Sequence, residues 1–416
     1  MLVLRALSGD AWLLFATRFV RLFAYGAVSV VLVFYLVGLG FSESQTGLLL
    51  TATLVGDTLV SLFLTTRADR IGRRTMLIAG AALMAAAGLV FAYTSAVWPL
   101  VLAGTIGVIS PSGGEVGPFL AIEQAALSHL VSDRNRTTVF AWYTLIGAVS
   151  TALGALVGGA VAEGLQRDAA MGAVASYRAV LVGYAAAGVV LALMFTRLSN
   201  AAEAANRGER AALRATMAGL SGLEHSRGVV FKLSGLFALD SFGGGFVIQS
   251  FAAYWFHLRF GLNPQTLGAV FFAANVLAGI SALLASRLAA RIGLLNTMVA
   301  THLPSNVLLI LVPLMPTLPL AVLLLLIRFS ISQMDVPTRQ SYVMAVVRPE
   351  ERSAAAGITG VARTLGAAIS PFFAGMLFAR PALINVPFFL AGTLKIAYDL
   401  LLYREFTAVR PPEETD

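Results

Sequence analysis

The sequence predicts an all-α membrane protein in which twelve transmembrane helices form two pseudo-symmetric six-helix bundles. Three observations predict this fold: a scarcity of charge, apolar runs that recur along the chain, and an internal repeat. Of the 416 residues, 58% are hydrophobic and 12% are charged, and the mean hydropathy is +0.83. Soluble domains carry about 25% charged residues, whereas ~20 apolar residues in a helix cross a bilayer core of about 30 Å.

Twelve apolar segments are long enough to span a membrane. They cover residues 12–38, 46–66, 75–94, 97–128, 138–162, 176–196, 229–257, 265–286, 294–315, 318–346, 353–379 and 384–403. The polar, alanine-rich stretch 197–228 is the one long connection between them. We therefore predict a first bundle over 1–196, a cytoplasmic linker over 197–228, a second bundle over 229–403 and a cytoplasmic tail over 404–416.

Arginines crowd alternate loops, which explains the net charge of +8. The positive-inside rule places those loops and both termini in the cytoplasm, and the composition favours a prokaryotic cytoplasmic membrane. This placement argues against nucleic-acid binding, which needs a basic soluble face. The chain has no cysteine, no phosphate-binding loop and four scattered histidines, so we expect no enzyme activity, no cofactor and no metal.

The two halves repeat at an offset of roughly 220 residues. "ADRIG" (68–72) corresponds to "AARIG" (289–293), and residues 123–137 align with residues 339–353. Because each half holds an even number of spans, the repeats run parallel, which predicts a pseudo-two-fold axis along the membrane normal and a cavity between the halves.

"TTRADRIGRR" resembles the loop signature of the major facilitator superfamily between its second and third helices. The matching residues are Asp69, Arg70, Gly72, Arg73 and Arg74, whereas Thr65 replaces the usual glycine. The resemblance implies a secondary transporter in which this loop gates the movement of the halves. A topology anchor is the alternative role of the loop.

Ten ionisable residues lie well inside the predicted spans. They are Asp57, Glu115, Glu123, Asp240 and Asp335 with Arg18, Arg21, Arg328, Arg339 and Arg363. Ten charges facing lipid would cost roughly 30 kcal/mol, so we expect these residues to face one another or a wet cavity.

Helical spacing groups some of these charges. Arg328, Asp335 and Arg339 share one stripe of the tenth span, where Asp335 and Arg339 are four residues apart and can pair. Pro337 is expected to bend that helix. Arg18, Arg21 and Tyr25 share a stripe of the first span. Their expected depth in the membrane suggests the further pairs Asp57–Arg21 and Asp335–Arg363.

The fourth span carries Glu115 and Glu123 among Pro111, Pro118 and several glycines. Irregular backbone at this depth is tolerated only where it is buried in protein or lines a cavity, and the resemblance makes this span cavity-lining. A carboxylate buried there can take and release a proton as its surroundings change. We expect Glu115, without an evident partner, and Asp240 to couple protons or bind substrate. Glu123 has two open roles, coupling or a salt bridge with its repeat counterpart Arg339.

The fifth span partly resembles a glycine motif of drug/proton antiporters. Gly154, Gly158 and Gly159 match the motif, and Gly366, Pro371 and Gly375 keep its spacing in the eleventh span. Close helix packing is the alternative explanation of these small residues.

The sequence therefore predicts a monomeric secondary transporter that contacts lipid, protons and a small-molecule substrate. Proton-driven export of small organic molecules or drugs is the leading hypothesis. The second is proton-coupled transport of a specific anionic metabolite, which arginines lining the cavity would favour. A sensor without transport activity, or a lipid scramblase, is the third.

Overall fold

In the described residues of the computed structural model, the regular secondary structure consists of helices, which confirms the predicted all-α class. The structure describes the backbone of residues 7–115, 117–131, 133–203, 223, 225–348, 351–407 and 409. Within these ranges it does not describe the side chains of residues 66, 69, 70, 133–137 and 353. Fifteen α-helices lie in this part of the chain: α1 Gly9–Gly38, α2 Glu43–Ile71, α3 Arg73–Tyr93, α4 Val97–Ile106, α5 Phe119–Leu130, α6 Asp133–Arg167, α7 Ala173–Phe195, α8 Arg227–Gly245, α9 Gln249–Phe260, α10 Pro264–Ile292, α11 Leu294–Leu311, α12 Leu318–Ser332, α13 Asp335–Val346, α14 Arg352–Phe378 and α15 Val386–Phe406.

Local sequence signals fix several helix ends. The Ser8 side chain accepts from the backbone N–H of Ala11 at 3.3 Å and starts α1. Ser42 and Gln45 form a reciprocal capping box at the start of α2, which satisfies two backbone donors that the helix itself leaves free. Gly261 ends α9 at φ +70°, a left-handed conformation that glycine adopts without steric cost.

Within the described ranges, eleven helical segments are long and apolar enough to cross a membrane, and Val97–Ile106 is a shorter apolar helix. The twelve predicted spans are therefore found, with the fourth one interrupted. It consists of α4 and α5, joined by irregular backbone over residues 107–118, of which residue 116 lies outside the described part. The prediction that its glycines and prolines loosen this helix is confirmed.

The seventh and tenth spans are also interrupted. α8 ends at Gly245 and α9 begins at Gln249. α12 ends at Ser332 and α13 begins at Asp335, two residues before Pro337. The predicted bend at this proline is confirmed as a break of the helix.

The chain divides into two compact units. The first unit contains residues 1–210 and 248–275, and the second contains residues 211–247 and 276–416. Residues 248–275 belong to the first unit, where Gln249 donates to Ser29 at 2.7 Å and the backbone N–H of Ser250 donates to Pro111 at 3.2 Å. The predicted bundles, linker and tail remain predictions, and most of the linker and tail lies outside the described residues.

The first unit is built on the pair α1 and α6, and the second unit on the pair α8 and α14. Glycines bring each pair into close backbone contact: a Cβ on Gly154 would lie 2.0 Å from the Phe23 carbonyl oxygen, and one on Gly366 would lie 2.4 Å from that of Ala238. Gly158 and Gly159 are equally crowded by backbone. Pro371 and Gly375 are buried in α14. These contacts favour the packing role of the predicted glycine motif.

Candidate functional site

A network of buried charges in the first unit joins α1 to the interrupted fourth span. We define the first network as Arg18, Arg21, Glu115 and Glu123. The two arginines lie three residues apart on α1 and are buried. Glu123 lies in α5, and Glu115 lies in the irregular backbone before it. The structure thus brings together four of the predicted site residues.

Glu123 is the most tightly held carboxylate of this network. Its oxygens accept from the guanidinium of Arg21 at 2.8 and 2.7 Å, from the Thr17 hydroxyl at 2.9 Å, and from the Tyr143 hydroxyl. All four side chains are buried. Because bidentate and charge-assisted bonds are strong, this geometry favours a structural role for Glu123. Arg21 is its ion-pair partner within the first unit, and the alternative of a salt bridge with Arg339 stays a prediction.

Glu115 bridges the two arginines and is held less tightly. It forms an ion pair with Arg18, and both of its oxygens lie 3.3 Å from the guanidinium of Arg21. Its side chain is 18% exposed, whereas those of Arg21 and Glu123 are fully buried. The expectation that Glu115 has no partner is therefore wrong. It is the more accessible of the two carboxylates of the network.

Asp57 lies in α2 beside this network without joining it. Its carboxylate accepts from the backbone N–H of Gly117, two residues after Glu115, and from the Ser61 hydroxyl at 3.4 Å. Across the described residues, no basic side chain lies within ion-pair distance of Asp57. The suggested pair Asp57–Arg21 is thus wrong, because Arg21 is committed to the two glutamates.

Tyr25 completes the predicted stripe of α1 but takes no part in these ion pairs. Its buried ring stacks against that of Tyr184 at 6.2 Å. The Tyr184 hydroxyl donates to the backbone carbonyl of Val108, at the start of the irregular stretch. Tyr25 thus supports the residue that holds this backbone in place.

The second unit contains a larger network. We define the second network as Asp240 of α8, His302 of α11, Asp335 and Arg339 of α13, and Lys395 and Asp399 of α15. All six side chains are buried. Arg339 donates to Asp335 at 2.7 Å and to Asp240 at 2.9 Å. The predicted pair four residues apart on one helix is confirmed, and the suggested pair of Asp335 with Arg363 is not formed.

Lys395 and His302 approach the same oxygen of Asp240. The Lys395 ammonium donates to Oδ1 at 2.6 Å, and His302 Nε2 lies 3.6 Å from it. On the other side of the ring, His302 Nδ1 lies 2.7 Å from Asp399 Oδ1. Asn306 donates to the other Asp399 oxygen at 3.0 Å. One imidazole therefore lies between two carboxylates from different helices.

The ring nitrogen of His302 and oxygens of Asp240 and Asp335 lie within 4.8 Å of one another, a spacing that a metal ion also requires. Arg339 and Lys395 already donate to these carboxylates. The two carboxylates thus already have two cationic partners, so we assign no metal to this network.

Arg328 and Arg363 lie near the second network with no acidic partner of their own. Both interact electrostatically with Asp240 and Asp335, and the Nε atom of each is buried without a hydrogen-bond partner. In the part of the chain that the structure describes, neither forms an ion pair. These two guanidinium groups remain available to a ligand.

The predicted gating loop is described only in part. The side chains of Asp69 and Arg70 lie outside the described residues. Gly72 adopts φ +124° between α2 and α3. The Glu203 carboxylate accepts from the backbone N–H groups of Arg73 and Arg74 at 2.7 and 3.0 Å, which satisfies the free donors at the start of α3. Gating by this loop stays a prediction.

The sequence analysis missed Lys395, Asp399, His302 and Asn306. Lys395 and Asp399 lie inside the last predicted span, four residues apart, and the rule that picked out the other buried charges applies equally to them. His302 and Asn306 carry no such signal, because a single histidine or asparagine in an apolar span is unremarkable until its neighbours are known.

The sequence model of the Major Facilitator Superfamily matches residues 14–371 and 259–415. The uncharacterized membrane protein YJR124C of Saccharomyces cerevisiae is 30% identical over 426 residues, which cover 97% of this chain and 95% of the yeast protein.

Three solved structures have the same fold. The partially occluded, inward-open structure of the xylose transporter XylE from E. coli gives a TM-score of 0.71 at 15% identity. The alignment covers 98% of this chain and 100% of the XylE chain. The nucleoside transporter NupG gives 0.70 at 14% identity and covers 96% and 99%. A bacterial homolog of the human lysosomal transporter Spinster, inward-facing and unoccupied, gives 0.73 at 15% identity and covers 96% and 98%.

Proposed function

The chain belongs to the major facilitator superfamily, and from this membership we propose that it is a proton-coupled secondary transporter that exports small organic molecules. Asp57 and Glu115 are the proposed proton-binding residues. The observation that carries the proposal is the position of Asp57, a carboxylate of a membrane-spanning helix that holds the backbone next to Glu115 and has no cationic partner in the described residues.

Protonation of Asp57 changes its bond to Gly117. An ionised carboxylate accepts a stronger hydrogen bond than a neutral one, so a proton on Asp57 loosens the backbone at Gly117. Glu115 lies two residues away and bridges Arg18 and Arg21. A shift of this backbone therefore alters the first network, and the proton state of Asp57 is transmitted to α1.

Glu115 is the second proton acceptor because its bonds to Arg21, at 3.3 Å, are long. When Glu115 is neutral, Arg18 loses its only described carboxylate partner and can bind another acceptor. Glu123 keeps Arg21 in place meanwhile through its bidentate contact. The two glutamates thus have separate roles, exchange at Glu115 and anchoring at Glu123.

Export is the proposed direction because the glycine spacing of the fifth and eleventh spans resembles that of drug/proton antiporters, although the same glycines also serve close helix packing. We further propose a monomer with its arginine-rich loops in the cytoplasm. The prokaryotic cytoplasmic membrane stays a prediction.

A second candidate function, proton-coupled transport of an organic anion, is favoured by Arg328 and Arg363. Both are guanidinium groups near the second network without an acidic partner in the described chain. Guanidinium groups bind carboxylate and phosphate in a bidentate manner. An anionic solute would supply the missing partner.

The test uses purified protein in sealed vesicles that contain a pH-sensitive dye, under an imposed proton gradient. Lipophilic cations, neutral drugs and organic anions are added in turn. Proton movement triggered by several cations or neutral drugs supports export. A response to organic anions alone supports the second candidate, and Arg328→Gln with Arg363→Gln is then expected to abolish it. Silence across the panel overturns proton coupling and leaves the sensor or scramblase.

Variants of the proposed proton residues make the test specific. Asp57→Asn and Glu115→Gln are expected to abolish solute-driven proton movement while solute binding persists. Asp168→Asn is the matched control, because Asp168 is exposed and pairs with Arg167 at 2.8 Å outside the membrane helices. Unchanged proton movement in Asp57→Asn would exclude Asp57 as the coupling residue.

A further inference from the structure

We propose that His302 is a second proton-binding site, located in the second network. Its ring bridges Asp240 and Asp399, and uptake of one proton redistributes the cations that hold Asp240. The inference rests on the proposed function only in giving that proton a role in transport. Binding of the proton is tested on His302 itself.

The geometry around the ring allows a doubly protonated imidazole to face two carboxylates. Nδ1 lies 2.7 Å from an Asp399 oxygen, and Nε2 faces an Asp240 oxygen at 3.6 Å. A neutral imidazole carries one N–H, so one nitrogen then presents a lone pair to a carboxylate. An imidazolium presents an N–H to both. Burial of the ring and of both carboxylates removes the water that would otherwise satisfy these groups.

The charge balance of the contacts points the same way. Asp240, Asp335 and Asp399 bring three negative charges, whereas Arg339 and Lys395 bring two positive charges within hydrogen-bond distance. With a neutral His302 the network holds one net negative charge, and a proton on the ring removes it.

Charged and titratable groups from the surrounding helices also act on this balance. Arg328 of α12 and Arg363 of α14 interact with Asp240 and Asp335 at longer range and oppose a further positive charge. Tyr398 of α15 meets the ring edge-on at 5.8 Å between centroids. Asn306, one turn along α11, lies 3.1 Å from Nδ1 and fixes the Asp399 side of the ring. In the described residues neither arginine lies within ion-pair distance of Asp240 or Asp399, whereas the ring nitrogens of His302 do.

Proton uptake has a defined consequence for Lys395. Its ammonium already donates to Asp240 Oδ1 at 2.6 Å, the oxygen that His302 Nε2 also faces. A proton on Nε2 places two cations at one oxygen, which weakens the bond of Asp240 to Lys395. Since His302, Asp240 and Lys395 belong to α11, α8 and α15, the proton changes the connection among three helices.

The test exploits the small number of histidines. The chain has four, so His129→Gln, His225→Gln and His257→Gln leave His302 alone. This protein is labelled with ¹⁵N-histidine, placed in lipid vesicles, and its ring nitrogens are followed by solid-state NMR from pH 5 to pH 9. We expect one transition between imidazolium and neutral ring. A ring that stays neutral, or stays charged, over the whole range overturns the proposal.

Asp399→Asn tests the bridge in the same background. Loss of an opposite charge within hydrogen-bond distance is expected to shift the transition at least about 1 pH unit lower, a tenfold fall in proton affinity. Asp168→Asn, far outside the network, should leave it unchanged. Should Asp399→Asn fail to fold, the titration of the His302-only protein still decides. A titrating ring without solute-driven proton flux rejects the proposed function alone, whereas flux with a ring that never titrates rejects this inference alone.

Discussion

The two networks hold buried carboxylates with different cations. The first network uses only arginines, Arg18 and Arg21, whereas the second uses Arg339 together with Lys395 and His302. Arginine keeps its charge at every accessible pH, and histidine changes charge between pH 5 and pH 8. The first network can therefore change charge only through its carboxylates, and the second also through a cation. The two proposals thus assign to one fold two proton-binding sites that differ in chemistry.

The helices beside the two networks are similar in both units. Each network lies beside an interrupted span, the fourth in one unit and the tenth in the other. Glu123 and Arg339 occupy equivalent repeat positions. Glu123 forms a bidentate ion pair with Arg21, whereas Arg339 bonds two aspartates, Asp240 and Asp335. The difference lies in which sign of charge the repeat position carries.

The largest effect is expected from Arg21→Met in the first network. It leaves Glu123 fully buried without its bidentate partner, and breaking a buried ion pair in this way costs about 3–5 kcal/mol. Thermal unfolding in detergent micelles measures the loss. The double variant Arg21→Met with Glu123→Met should recover part of it, and a single variant as stable as wild type would contradict the anchoring role of Glu123.

A smaller effect is expected from Gly154→Ala and Gly366→Ala, which probe the equivalent helix pairs of the two units. The new Cβ atoms would lie 2.0 and 2.4 Å from backbone oxygens, and overpacking of this kind costs about 1–3 kcal/mol. Gly360→Ala is the control, since a Cβ there meets nothing within 4 Å. Equal losses in unfolding temperature for the two variants would support similar helix packing in the two units. A loss in one unit only would contradict that similarity.

Lys395→Met distinguishes the second network from the first, because its cost in folding free energy is expected to depend on pH. Asp240 keeps Arg339, so the expected cost of one lost charged hydrogen bond is about 1.5–3 kcal/mol. With Lys395 gone, Asp240 Oδ1 is left to His302, whose imidazolium, on the proposal above, replaces the lost ammonium. Because histidine gains its charge as pH falls, this replacement is present at low pH and lost as pH rises.

The cost of Lys395→Met should therefore be smaller at pH 5.5 than at pH 8, as read from unfolding temperatures at both values. Lys232→Met should show no comparable change over this interval, because its exposed pair with Glu405 lies outside the second network. A pH dependence shared by both variants would show that it does not arise from the second network.

The smallest effect is expected from Lys232→Met. Lys232 and Glu405 form a 2.8 Å pair in the second unit, but their side chains are 64% and 39% exposed. Exposed pairs contribute about 0–1 kcal/mol, so the unfolding temperature should hardly move. A loss comparable to that of Lys395→Met would show that burial does not set the scale of these interactions.

The fold could be predicted from the sequence because a membrane span is a local property. Hydropathy over twenty residues identifies it, and the helix breaks at Pro337 and around Gly113 follow from residues within the segments themselves. The pair Asp335–Arg339 was equally accessible, since both residues lie on one helix.

Pairs between helices were not accessible in this way. Arg21 and Glu123 lie 102 residues apart, and their contact depends on the rotation and depth of two helices, which periodicity leaves open by tens of degrees. Depth alone suggested Asp57 for Arg21, whereas the structure places Gly117 beside Asp57. The role of His302 depends on Asp240 and Asp399, which come from two further helices.

The interruption of the fourth span also bears on how the chain enters the membrane during synthesis. α4 has ten residues and reaches about 15 Å, half of a bilayer core. Unlike a full-length span, it cannot remain there alone, because its unpaired backbone groups need partners away from lipid. The irregular backbone that follows α4 has two such partners in Tyr184 and Ser250, which donate to the carbonyls of Val108 and Pro111, and the ribosome makes both of them later. The fourth segment is therefore expected to reach its final depth only after the seventh span has emerged.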